Sequence, residues 1–240
     1  MTIFSWARRG SERSFLVTVS ISTSAVAFII ALLFLMAWSF SRSAIANLVS
    51  GDQIVGINAE LAQGGVYVLL AGDSHIAYLG TPKLPCGTRV INAGINGIKA
   101  DGYLELLGRL HFVRAARAAL LTIGTNYLIR KTSGDRFDEF RADINALIPR
   151  LLRDVDHLVV TALPPVAESL ESRLDVHAIR RFSEYLRQLC TIRGCTYIDP
   201  FLSLRTDRFG IASAEAMDIG GLHLANYQEQ FRRVAPLLCQ

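Results

Sequence analysis

The chain has 240 residues, 51% of them hydrophobic, and a net charge of +4 carried almost entirely by arginine. No basic run is interleaved with aromatics as a nucleic-acid surface requires, so nucleic acid is not expected as a partner. Once one long apolar segment near the start is set aside, the remainder is about one domain's worth, enough to bury a single core.

Residues 1–14 carry Arg8, Arg9 and Arg13, opposed only by Glu12. Phe15–Phe40 then runs for 26 residues without a charge, where ~20 suffice to cross a bilayer as a helix. The pattern predicts a single transmembrane signal-anchor over 15–40. The positive-inside rule then puts residues 1–14 in the cytoplasm and everything after Arg42 on the far, periplasmic side. Ala44-Ile45-Ala46 has the small-x-small form of a cleavage site, so a cleaved signal peptide is the alternative. The length of the apolar run, beyond the usual ~7–15 residues of such a peptide, favours the uncleaved anchor. Residues 41–65 read as a mixed connector, and residues 66–240 as one domain.

In that domain apolar runs alternate with helical patterns, which predicts an α/β fold with a mainly parallel sheet. Strands are expected at Val66–Ala71, Thr88–Asn92, Ala118–Ile123, His157–Leu163 and Thr196–Ile198. Phe137–Val155 places Phe137, Phe140, Ile144, Leu147, Ile148 and Leu151 on one helical face, with Pro149 as a kink. Further helices are expected over Val176–Ile192 and Asn226–Leu238. Arg150, Arg153, Arg180, Arg181, Arg187, Arg232 and Arg233 read as solvated helix faces, or as an attraction to acidic polymer or lipid headgroups. The architecture is three layers, α/β/α, around about five strands, with ligands bound beyond their carboxyl ends.

The loops after the strands carry the chemistry. Gly72-Asp73-Ser74-His75 puts a serine on a strand-to-helix turn, as a nucleophile or as a helix N-cap. Asn92-Ala93-Gly94-Ile95-Asn96-Gly97 offers the Gly94 backbone N–H for close approach, and its glycine spacing is not that of a dinucleotide site. Gly124-Thr125-Asn126-Tyr127 offers the Asn126 amide. Ser74 N–H, Gly94 N–H and Asn126 would together form an oxyanion hole, in which one donor can be worth ~3–4 kcal/mol. Asp218-Ile219-Gly220-Gly221-Leu222-His223 ends in a histidine just before the last helix.

These four blocks in this order resemble the SGNH hydrolase superfamily of GDSL-like esterases and acyltransferases, over about residues 66–238. The resemblance implies a flavodoxin-like fold, Ser74 as nucleophile, Gly94 and Asn126 as oxyanion donors and His223 as general base. Two positions depart from the family pattern: Tyr127 stands where GTND has its aspartate, and Gly220 where D-x-x-H needs one. The nearest acid is Asp218, five residues before His223; Gly220 and Gly221 permit a bulge that would bring it to the imidazole. The competing arrangement is a Ser74–His223 dyad whose ring is held by a backbone carbonyl or by Asp199. His75 takes a binding or supporting role, and GDSH also looks like the start of SGNH domains attached to envelope acyltransferases.

His111, His157 and His177 have no partner at metal-ligand spacing, and neither a metal nor an organic cofactor is implied. Cys86, Cys190, Cys195 and Cys239 show no metal-site spacing; Cys190 and Cys195 flank a turn at Gly194 and either pair or stay as thiols. The expected function is that of a membrane-anchored serine esterase removing O-acyl groups from an ester-bearing polysaccharide or lipid of the envelope. The alternatives are an O-acyltransferase using the same site and a non-catalytic protein of the same fold.

Overall fold

The computed structural model describes Ile30, residues 51–130 and residues 136–240. The expected anchor over 15–40 lies outside the described residues, Ile30 excepted. Among the described residues no helix is long and apolar enough to cross a membrane.

Five strands form one parallel sheet: β1 (Tyr67–Gly72), β2 (Arg89–Gly94), β3 (Ala118–Thr122), β4 (Leu158–Thr161) and β5 (Thr196–Ile198). Their order is β2-β1-β3-β4-β5. The chain moves from β1 to β2 on one side and then to β3 on the other, which opens a crevice at the carboxyl ends of β1 and β3.

Both sheet faces are covered, so the strands read as continuous apolar runs. Strand alternation sends Leu69, Ala71, Ile91, Ala119, Leu121 and Val160 into one core layer. It sends Val68, Leu70, Val90, Ala118, Leu120 and Val159 into the other. The first layer is completed by α1 (Gly51–Ala62), α3 (Ala100–Leu107), α4 (Phe137–Leu151) and α5 (Ala178–Arg193), the second by α2 (Ser74–Leu79) and α6 (Tyr227–Leu238).

Within the expected connector over 41–65, residues 51–62 form helix α1. Ile54, Ile57 and Leu61, at i, i+3 and i+7, are buried against the sheet, a helical stripe that is only three residues long. Arg89 closes the helix end by donating to the carbonyls of Glu60 and Gly64.

Helix α4 stops at Leu151, four residues before the expected end, with Pro149 inside its last turn. Helix α5 ends at Gly194, whose φ of 78° suits a left-handed cap. Helix α6 is capped by Asn226, whose side chain accepts from the N–H groups of Gln228 and Glu229. Cys190 and Cys195 pair across the α5–β5 turn, and Cys86 pairs with Cys239, 153 residues away in sequence.

Candidate active site

The turn after β1 is set by Asp73. Its backbone N–H donates to Thr122 O, and its carboxylate accepts from His75 N at 3.1 Å and Gly124 N at 3.3 Å. Asp73 is therefore the N-cap of α2 and Ser74 its first residue, which removes the reading of Ser74 as the cap. As a first-turn residue, Ser74 has no intrahelical acceptor for its N–H. Burial pushes the Asp73 carboxyl up to about 7, against the pull of its backbone donors.

Ser74 Oγ lies 2.9 Å from His223 Nε2. Residues 149 apart in sequence are thus in the hydrogen-bonded contact that nucleophile and base require. Burial lowers the His223 pKa below its usual value, opposed by the Asp218 carboxylate. The Tyr78 ring, one turn along α2 from Ser74, covers the imidazole with centroids 4.4 Å apart. Tyr78 was not anticipated; the i, i+4 relation to Ser74 was the available signal.

Residues 217–224 form a small closed turn. Met217 bridges Leu224, Asp218 N donates to His223 O, and Gly221 N donates to Asp218 O. Gly221 has a φ of 71° and its Cα faces Ala167, where an added Cβ would stand 2.6 Å from the alanine Cβ. Ala167 N also donates to Gly221 O, docking the loop on the segment after β4.

This turn absorbs the non-standard spacing. A Cβ built on Gly220 would lie 3.5 Å from Asp218 Oδ1 and 3.7 Å from Oδ2, so the Asp218 carboxylate occupies the space into which an aspartate at 220 would project. It stands 3.6 Å from His223 Nδ1, with its side chain 40% exposed, an ion-pair separation longer than a hydrogen bond. Asp199 is taken instead by Arg205, at 2.9 and 3.1 Å, and by Phe201 N. It does not hold the histidine.

The oxyanion donors divide. Asn126 lies on the 3-10 turn after β3 and spends one amide N–H on Ile98 O at 2.8 Å, leaving the second for a substrate. Gly94 does not fit the expected role. Its N–H donates to Asn92 Oδ1 at 2.8 Å, and a Cβ there would stand 2.3 Å from Ala77 N. Gly94 serves the close packing of α2 on β2, where Asn92 also donates to Ile76 O and Gly80 O. Asn126 instead meets the loop at Ile98, four residues further on, and the neighbouring Gly97 is exposed at a φ of 74°.

Tyr127, standing where the GTND pattern has an aspartate, is a structural tie: its hydroxyl donates to Asp143 at 2.6 Å and accepts from Ala100 N at 3.1 Å. Beside the base loop a groove of about 240 Å³ is lined by Ile129, Leu170, Leu174, Leu222 and Gly220, with Arg173 at its rim.

No family model and no curated protein sequence matches the chain. Solved structures do. One is described as a "putative platelet activating factor" from Streptococcus pneumonia, 21% identical, with a TM-score of 0.64 over 85% of this chain and 98% of that one. A GDSL-like lipase from Bacteroides thetaiotaomicron is 13% identical, with a TM-score of 0.59 over 77% of this chain and 94% of the other. The OSK domain of Drosophila Oskar is 16% identical, with a TM-score of 0.54 over 70% and 86%. At these identities the likeness establishes the fold, and the chemistry is argued from the site itself.

Proposed function

We propose that the chain is a serine esterase of the SGNH type. The observation that carries the reading is the 2.9 Å contact of Ser74 Oγ with His223 Nε2 at the carboxyl end of β1. In the proposed reaction Ser74 Oγ attacks an ester carbonyl carbon while His223 Nε2 takes the hydroxyl proton. The oxyanion is met by Ser74 N–H and the second N–H of Asn126. On the β2 side the exposed Gly97 takes the place expected of Gly94, whose N–H is occupied. Collapse breaks the ester C–O bond, and the alcohol leaves with the proton from His223. Water, deprotonated by the same histidine, then releases the acid from the acyl-serine.

Room for the substrate lies in the groove beside Leu222. Its aliphatic lining suits an acyl chain or the carbon skeleton of an alcohol, and Arg173 suits an anionic neighbour. Export is supported from two sides. The uncharged run over 15–40 follows three arginines, and all four cysteines are paired, as an oxidising compartment favours. On this reading the substrate is an O-acylated polysaccharide or a lipid ester of the envelope, held near the membrane by the N-terminal anchor.

A fluorophosphonate probe followed by mass spectrometry tests the chemistry: modification of Ser74 is expected, and an unlabelled serine in folded protein overturns it. An alkaline-phosphatase fusion after residue 48 tests the topology, with active phosphatase expected; activity only from a cytoplasmic reporter would reverse it.

A further inference from the structure

His75 is 1% exposed and sits beside the nucleophile. The imidazole lies between the His223 ring, with centroids 5.3 Å apart, and the side chains of the second core layer. Its Nδ1 lies 2.9 Å from the Tyr227 hydroxyl. That hydroxyl also accepts from Leu224 N at 3.3 Å. Ser74 and His223 are therefore each one residue from the two ends of a single chain of contacts, running from His75 through Tyr227 to Leu224.

His75 also lines a cavity of about 30 Å³ whose wall is mainly apolar, with Leu120 and Phe231 among its sides, and whose polar lining comes from Thr122, Thr161, Tyr227 and Gln230. Thr122 and Thr161 hydroxyls satisfy each other at 2.9 Å. Among the described residues, His75 Nε2 and Gln230 Oε1 are buried with no protein partner. The volume suits one water, and a buried water needs two to four polar partners. Gln230 Oε1 can only accept, and a water bridges it to Nε2 in either ring tautomer, so the direction is set at the other nitrogen. The Tyr227 hydroxyl, with one donor and two lone pairs, already takes the Leu224 N–H, and its own proton has Nδ1 as its acceptor, which leaves the ring proton on Nε2.

We propose that His75 is a positioning residue that locks the nucleophile turn to the base loop. It is neutral and protonated on Nε2, accepts the Tyr227 hydroxyl proton at Nδ1, and is anchored through one buried water to Gln230. The proposal rests on the reading of Ser74 and His223 as nucleophile and base. Burial, and secondly the nearby His223, hold His75 down at about 3, which keeps it neutral around neutral pH. His75 thereby carries a hydrogen-bond pattern fixed in one direction, which a neutral apolar filler of the same space lacks.

Two measurements on the full chain test this. In ¹⁵N NMR the His75 ring is expected as the Nε2–H tautomer; an Nδ1–H tautomer overturns the proposal whether or not the protein proves to be an esterase. In aryl-ester turnover, Tyr227→Phe and His75→Leu are expected to lower kcat per folded molecule by about 10- to 100-fold with KM little changed, the size of effect a misplacement of about 1 Å produces. His75→Asn, whose amide oxygen reaches the position of Nδ1, is expected to recover most of that loss. Loss of melting temperature with unchanged kcat in Tyr227→Phe would make the contact merely structural and overturn the proposal. Wild-type protein with neither turnover nor fluorophosphonate labelling would instead sink the esterase reading, and the tautomer would still decide the relay.

Discussion

The two halves of the site are held in different ways. The turn that carries Ser74, the proposed nucleophile, sits at the end of the buried β1, with Asp73 bonded to Thr122, His75 and Gly124 and fully enclosed. The base loop over 217–224 is a hairpin-like turn closed mainly on itself, docked through Ala167 and Tyr227, with Asp218 partly in solvent. The sheet fixes the first half, so damage there should appear as lost chemistry in an intact fold. Few outside contacts fix the second, so damage there should appear as misalignment.

Ser74→Ala is the sharpest cut on the nucleophile side. Activity on a short aryl ester should fall by at least ~10⁴, as loss of a nucleophile does elsewhere, with melting temperature nearly unchanged; retention of a tenth of the activity removes Ser74 from the role. Asn126→Ala should cost ~10²–10³ in kcat, and because Asn126 also ties down Ile98, some loss of stability should accompany it. A change confined to KM would make Asn126 a substrate-binding residue instead.

On the base side, Asp218→Asn should cost about 10² in kcat, short of the ~10⁴ that a buried, hydrogen-bonded triad acid commands. Asp218 favours the imidazolium and so raises the His223 pKa. Its removal should move the acid limb of the pH–rate profile to lower pH, and an unmoved limb would show that Asp218 is not coupled to the base. Gly221→Ala imposes a left-handed backbone on alanine and a close approach to Ala167, a strain of ~1–2 kcal/mol. Its kcat should drop about tenfold and its stability should fall by about that strain, and an unaltered rate would mean that the loop tolerates misplacement. The smallest catalytic effect is expected from Asp199→Asn, which strands Arg205 and should lower stability by about 2–3 kcal/mol with kcat per folded molecule intact. A large kcat loss there would revive Asp199 as the partner of the base.

The same contrast governs what could be read from sequence. Strand β1 and the serine after it were legible because a strand buried on both faces is a continuous apolar run that has to end in a turn. The parallel sheet and its two covering layers followed from the alternation of strands and helices, whereas the order of the strands came only with the structure. Gly94 misled because a glycine signals close approach without saying to what: here the neighbour is the backbone of α2, and Asn92 takes the N–H. The link of Asp218 to His223 depended on how two glycines bend one loop. Tyr227 escaped because its role is created by a histidine 152 residues away. Helix α1 was hidden by a stripe of only three apolar residues among polar ones and two glycines.

The two disulfides differ as the two halves of the site do, and the difference concerns the order in which the domain matures. Cys86 must wait for Cys239, while Cys190 and Cys195 lie only five residues apart. Short loops close far more readily than long ones, so the local pair should oxidise first. Wherever the pairs oxidise as the chain emerges, Cys86 meets two other thiols before its own partner appears, and early closure of Cys190 with Cys195 takes both out of competition. The short crosslink then acts as a guard against mispairing. The long one works as a final latch, joining the loop beyond the nucleophile helix to the end of α6 only after every strand of the sheet is available.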